Sequence, residues 1–391
     1  MEVTRLSGLG VTLLAAVLGP LDPVAAATIH VPADQPTIQA GIAAARPGDT
    51  VLVACGTYTE HDIALAPGVS VVGESSDPNC VIIDAKLAGR VMFGSQLESP
   101  VRIEGVTLTG GAAYYGGYSW PGGGLYCSEC ALLTVINCVF LENHAATGGG
   151  LAAENGVQCA ISRCSFEANT ALAGGALSLQ SMSQVDITDC AFTHQFLDYG
   201  GGRGGALLIE GSKVSLAGST VAFNTTVDVG PGDRGGGVYV RESTIEVADC
   251  TFAYNQSRSG GAIYCAENGT ASLQNTILAL NRRAAIECGS GGRALLSCCD
   301  VVLNWDGDWA GCLDGQLGIA GNFSADPLFC DAEADNFALD VRSPCAAGNS
   351  PPACGLIGAL TIGCDAASLD AITWGSLKAL FKQHSGSPHL R

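Results

Sequence analysis

The chain has 391 residues, more than one compact core normally organises, so it is either several domains or an elongated array. Its 53 Gly, 18 Cys, 47% hydrophobic and only 14% charged residues exclude the charged, core-poor make-up of a disordered chain. The formal net charge of −19 argues against nucleic acid as a partner, because phosphate binding needs clustered Lys and Arg, and it disfavours acidic polysaccharides unless a cation bridges them.

Residues 1–27 read as a secretory signal peptide: Arg5, an apolar run from Val11 to Leu18, then small residues in "PVAAA" before a cut. No later run approaches the roughly 18 apolar residues that span a bilayer, so no stable membrane insertion is expected. The expected location is secreted, extracellular or at the cell surface, with outer-membrane association as a variant. All 18 cysteines lie beyond the signal, and export makes disulfides the default reading, with zinc the alternative. Cys127-x-x-Cys130 resembles half a zinc site but has no matching second pair, so no metal site is assigned.

"TIQAGIAAA" sets Ile38, Ile42 and Ala45 on one helical stripe with Pro47-Gly48 as a stop, which predicts a short amino-terminal capping helix. The segments "TVLVACGTY", "ALAPGVSVVGE", "CVIIDA" and "VRIEGVTLTGG" follow as β-branched, alternating strands. From residue 122 the chain repeats itself: a Gly pair precedes Leu125, Leu151, Leu177, Leu207, Val238 and Ile263 at spacings of 26, 26, 30, 31 and 25. Cys138, Cys164, Cys190 and Cys250 stand two residues before Phe140, Phe166, Phe192 and Phe252, and Asn143, Asn169, Asn224 and Asn255 stand three past the aromatic slot.

A period in the twenties with Gly-broken, β-branched segments predicts a solenoid of strands rather than helices. The fold class is therefore all-β, a single-stranded right-handed parallel β-helix of about ten coils, roughly 50 Å long at the usual inter-strand spacing. Cys and Phe, two apart in a strand, should form inward columns, and the Asn column belongs at a turn, where Asn tolerates the left-handed region. The expected organisation is a β-helix over 28–311 including its helical cap, a disulfide-rich carboxy-terminal cap over 312–365, and a tail over 366–391. That tail can set Trp374, Leu377, Lys378, Phe381 and Lys382 on an amphipathic helix.

Two coils are four to five residues longer, and both insertions, 193–203 and 225–234, fall between the Asn turn and the next Gly pair. With 112–123 they make one aromatic and acidic edge. Tyr114, Tyr115, Tyr118, Trp120, Asp198 and Tyr199 are the candidate carbohydrate-binding residues, since sugars stack on aromatic faces and donate hydroxyls to carboxylates. Asp228, Asp233, Arg203 and Arg234 are the candidates for any catalytic chemistry, which needs two carboxylates about 5 to 10 Å apart or calcium beside a basic group. "NWDGDWAGCLDG" alternates Asn304, Asp306 and Asp308 as calcium loops do. It has Trp309 where Gly is needed and no closing Glu, so it reads as a turn; no cofactor is assigned, calcium being the exception the edge acids allow.

"TIQAGIAAARPGDTVLVACGTYTE" is similar to the amino-terminal portion of pectin-lyase-like right-handed β-helix proteins. The recurrence of GGA[LI] with F-x-x-N resembles the repeats of polymorphic outer membrane proteins of the chlamydial type. The first resemblance implies polysaccharide cleavage, the second adhesion and display. The chain has no Asp-Asp pair for the former and no series of alternating strands after the repeats for the barrel of the latter. The leading expectation is an exported, non-catalytic β-helix that binds glycans or surface partners through the aromatic edge. The alternatives are a polysaccharide lyase or glycoside hydrolase, and a purely structural rod.

Overall fold

The computed structural model describes residues 25–365 apart from 116–117, 157, 199–200 and 227–231. The expected signal segment up to residue 24 and the tail 366–391 lie outside the described residues. The chain winds into a parallel solenoid whose walls are three sheets of 11, 9 and 10 strands. One full circuit runs from Leu125–Ser128 in the nine-stranded sheet, through Leu132–Ile136 in the 11-stranded sheet, to Val139–Leu141 in the ten-stranded sheet. The longest wall thus stacks one strand more than the ten coils expected. Its helical cap, Ile38–Ala44, starts at Thr37, whose hydroxyl accepts from Ala40 N, and buries Ile38, Gly41 and Ile42 over the first coil.

The repeat read in the sequence is the register of the walls. Leu125, Leu151, Leu177, Leu207, Val238 and Ile263 pair in succession, so the residue after each Gly pair sits directly above its counterpart. Period-2 alternation turns the same set inward on every coil. Phe140, Phe166 and Phe192 are fully buried and stack at centroid separations of 4.5 and 5.0 Å. Offset stacking of this kind adds about 0.5–1.5 kcal/mol per pair beyond burial.

The corners differ from expectation in one respect. The left-handed residue is not the Asn but the one before it: Glu142, Ala168, His194, Phe223, Tyr254, Leu280 and Leu303 all have φ between 51° and 64°. The Asn that follows faces inward and is buried. Its side-chain oxygen accepts from the main-chain N–H of the coil before, while its side-chain N–H donates to a carbonyl of that earlier coil. With both ends of the amide held, the turn forces a non-glycine neighbour into the left-handed region, which that residue would not otherwise favour.

Ten cysteines form five bridges, Cys55–Cys80, Cys127–Cys130, Cys288–Cys312, Cys298–Cys354 and Cys330–Cys364. The Cys-x-x-Cys pair is therefore closed on itself. The other eight, including the column Cys138, Cys164 and Cys190, are free and buried, so the expectation of disulfides narrows to ten of the 18 cysteines. Column thiols accept at long range from the main chain of the coil before, as in Cys138 N to Cys164 Sγ at 3.4 Å, and thus fill a corner slot that Ser219 fills in the next coil but one. Burial pushes the thiols of Cys159, Cys250, Cys265 and Cys299 up to about 12.

At the far end, Gly311–Leu313 and Asn322 close the core: Leu313 is buried and Asn322 Oδ1 accepts from Cys299 N at 3.0 Å. The chain then runs along the side of the rod, over the ten-stranded wall. Strands Phe329–Asp331, Asn336–Asp340 and Ile362–Cys364 form a small sheet in this strap. Phe337 packs on Ala222 and Ala253, and Ile357 and Cys345 cover the outward Ile277, Ala279 and Val302. Asp300 is buried beneath the strap. Its Oδ1 accepts from Ala325 N at 3.0 Å and its Oδ2 from the Cys345 thiol at 3.2 Å, and burial raises the carboxyl to about 7.

Candidate functional site

The loops between each Asn corner and the next Gly pair emerge along one edge of the rod, the edge where the sequence carries its insertions. Tyr114–Tyr115 and Tyr118–Ser119 form an antiparallel hairpin there. Behind it Trp120 is pinned at both backbone ends: its N–H donates to Ala113 O at 2.8 Å and its carbonyl accepts from Ala146 N at 2.9 Å. The backbone is fixed by two coils, yet Trp120 is 51% exposed. A half-exposed aromatic side chain on a backbone held in this way presents an apolar face to solvent at this edge.

Beside the indole lies a hollow of about 330 Å³ lined by Asp62, Ala88, Gly89, Arg90, Ala112 and Ala113 together with Trp120. Asp62 comes from the preceding coil and has a left-handed backbone, φ 51°. Its Oδ1 accepts from Arg90 N at 3.2 Å, and its Oδ2 lies 3.0 Å from His61 Nδ1. Gly89 leaves room for this carboxylate: a Cβ there would stand 2.2 Å from Asp62 Oδ2 and push it aside. Arg90 Nε donates to Pro121 O at 3.0 Å, tying the guanidinium to the Trp120 loop, and the guanidinium lies 5.0 Å over the Tyr126 ring. Burial lowers the Arg90 pKa from its ordinary value, with Asp62, Tyr126 and Glu154 opposing, and burial raises that of Tyr126. The hollow thus offers an apolar floor, an aromatic wall, one acceptor-only group and one donor-only group.

Arg203 and Arg234 sit further along the same edge. They are bridged backbone to backbone in neighbouring coils, and the coils of Thr147 and Ala173 separate Arg203 from the Trp120 loop, three steps or roughly 14 Å, with Arg234 one step further. Arg203 covers the Tyr239 ring at 5.5 Å and Arg234 the Tyr264 ring at 5.0 Å; the two rings are stacked at 5.9 Å. Glu210 lies 4.0 Å from Arg203 and 3.2 Å from Arg241. Asp233 is 1% exposed and turns inward, where its Oδ1 accepts from Gly201 N at 2.6 Å and Gly202 N at 2.9 Å. Its carboxylate anchors one insertion to the other. Asp198 is exposed, while Tyr199 and Asp228 lie outside the described residues, as do the side chains of Tyr114, Tyr115 and Tyr118. Asp308 of the alternating acidic segment caps a corner, accepting from Asn304 N at 2.9 Å.

The sequence reading found Trp120 and missed Asp62 and Arg90. They stand 28 residues apart in separate coils, and neither falls in a recurring register; only the shared loop-to-strand corner before Ile63 and Val91 hinted that they meet.

The family model described as right handed beta helix region matches residues 123–324. The chain belongs to the right-handed β-helix family. No curated protein matches the sequence. In this β-helix protein the match covers the coils with the full Gly, Cys, Phe and Asn registers, and all the residues that line the hollow lie before it. No helix among the described residues is long and apolar enough to cross a membrane.

Proposed function

We propose that this right-handed β-helix protein is an exported, non-catalytic binder of glycans, and that the Trp120 hollow is where a sugar sits. The observation that carries the reading is the meeting of an exposed, backbone-pinned indole with Asp62 and Arg90 in a single concavity. A pyranose has an apolar face of C–H groups and a rim of hydroxyls; the first suits an indole, the second a carboxylate and a guanidinium. Binding fits better than cleavage. The hollow is lined by one carboxylate, and Asp233 on the same edge is turned inward onto two glycine N–H groups. The five disulfides support export, as does the amino-terminal signal pattern.

The test is a glycan array probed with the purified chain and with Trp120→Ala. The expected result is retention on a subset of glycans that falls at least tenfold in the variant, with the circular dichroism spectrum unchanged. Retention that ignores the substitution removes the hollow from the account.

A further inference from the structure

We infer that the Trp120 hollow selects a neutral sugar unit carrying adjacent hydroxyls and turns away hexuronic and other acidic sugars. The inference rests on the glycan-binding reading above and adds to it the chemical class of the ligand. Its volume of about 330 Å³ lies at the small end of ligand sites, the scale of one or two sugar rings rather than a long stretch of chain. Ala88, Gly89, Ala112 and Ala113 leave the floor without hydrogen-bonding side chains, so discrimination falls on Asp62 and Arg90 alone. A carboxylate only accepts and a guanidinium only donates. Neighbouring hydroxyls answer both at once, one donating to Asp62 and the next accepting from Arg90.

The local charge decides against an acid. Arg90 is already flanked by Asp62, while Glu154 Oε2 accepts from the Tyr126 hydroxyl at 3.3 Å just beyond the ring that the guanidinium covers. A ligand carboxylate in the hollow would meet the Asp62 carboxylate directly, beside a single guanidinium whose Nε is committed to Pro121 O and whose charge is already answered by Asp62 and by Glu154 behind the Tyr126 ring. The chain's charge of −19 adds repulsion at longer range, screened beyond about 8 Å in physiological salt. Recognition through Asp62 also leaves no need for a bridging cation.

The experiment titrates the full exported chain with methyl hexosides and with the matched methyl hexuronosides, in the presence and absence of a calcium chelator, by calorimetry. Neutral hexosides should bind at least tenfold tighter than their acidic counterparts, with no change on chelation. Asp62→Asn keeps an acceptor for Arg90 N, so it should fold normally, weaken neutral binding about tenfold and narrow the gap to the hexuronosides. Hexuronosides that bind as tightly as hexosides, and lose binding in Trp120→Ala, overturn the class while leaving the glycan reading intact. Neutral binding unchanged in Asp62→Asn overturns it too. If neither class binds at millimolar concentration, the glycan reading itself falls.

Discussion

Asn169 donates twice to Gln195, from its main-chain N at 2.9 Å and from its side-chain Nδ2 at 3.1 Å. A glutamine therefore stands in a column of asparagines, its extra methylene absorbed where the first of the longer coils begins. The column runs Asn143, Asn169, Gln195, Asn224, Asn255, Asn281 and Asn304, and Asp308 receives the last main-chain N–H. Every member is buried, and every rung spans two coils.

Removing a middle rung should cost more than an ordinary buried hydrogen bond. Asn224→Ala leaves Gln195 N without its acceptor and Phe192 O without its side-chain donor, and reduces Asn255 Oδ1 to the single main-chain N–H of residue 224, all in the buried interior. Each orphaned group costs roughly 1–3 kcal/mol, so a loss of about 3 kcal/mol or more in urea unfolding is expected. A loss below about 0.5 kcal/mol would show that water or a shifted turn replaces the rung.

Thiol counting checks the cysteine assignment. With eight free and buried thiols and five bridges, a membrane-impermeant alkylator should modify essentially none in the native chain. Eight should react on denaturation without reductant, and all 18 after reduction. Intact-mass spectrometry reads each number directly. Fewer than eight after denaturation would mean that column cysteines pair as well.

Asp300 makes the strap sensitive to pH in a definite direction. Its folded value of about 7 exceeds the ordinary 3.8, so the fold holds the neutral acid. Stability from this site is full below about pH 4, declines as pH rises and the unfolded chain ionises first, and levels off above about pH 7. The span corresponds to at most about 4 kcal/mol. Asp300→Asn keeps a neutral group under the strap and should flatten that part of the profile when urea midpoints are compared from about pH 4 to pH 8. Parallel profiles for the two chains would assign the dependence elsewhere.

Phe337→Ala tests whether the strap depends on its aromatic anchor. Phe337 is 1% exposed and meets Phe329 edge-on at 5.2 Å and Phe223 at 6.0 Å. Truncation should cost about 3–5 kcal/mol, a loss localised in the strap rather than in the coils. Limited proteolysis should then cut between residues 325 and 344 many times faster, while the disulfide Cys298–Cys354 keeps the fragment attached. Equal cleavage rates in both chains would show that the bridges alone secure the strap.

The coils were legible because each repeats a physical requirement at a fixed interval: glycine at a crowded corner, Phe in the core, Asn at the turn. The exceptions to the letters hid members of the same columns. Gln195 was missed for being a glutamine, and Asn281 and Asn304, which follow Leu278 and Val301, lie past the last Gly pair that marked the repeat. The strap's path was not read, although its trace was present. Ile277, Ala279 and Val302 are apolar on the outward face, where Glu167 and Thr193 stand in earlier coils, and that break in alternation marks a covered wall. The hollow was half legible, since a lone Trp beside glycines is visible but a carboxylate arriving from another coil follows no local pattern.

Because the Asn rung is completed before the edge loop begins and the Gly pair restores register after it, circuits of 26, 30 and 31 residues stack in one lattice. Whatever is written between those two marks is read by the surroundings and ignored by the scaffold. Such a molecule can exchange its contacts one loop at a time, acquiring new preferences without renegotiating how it stands up.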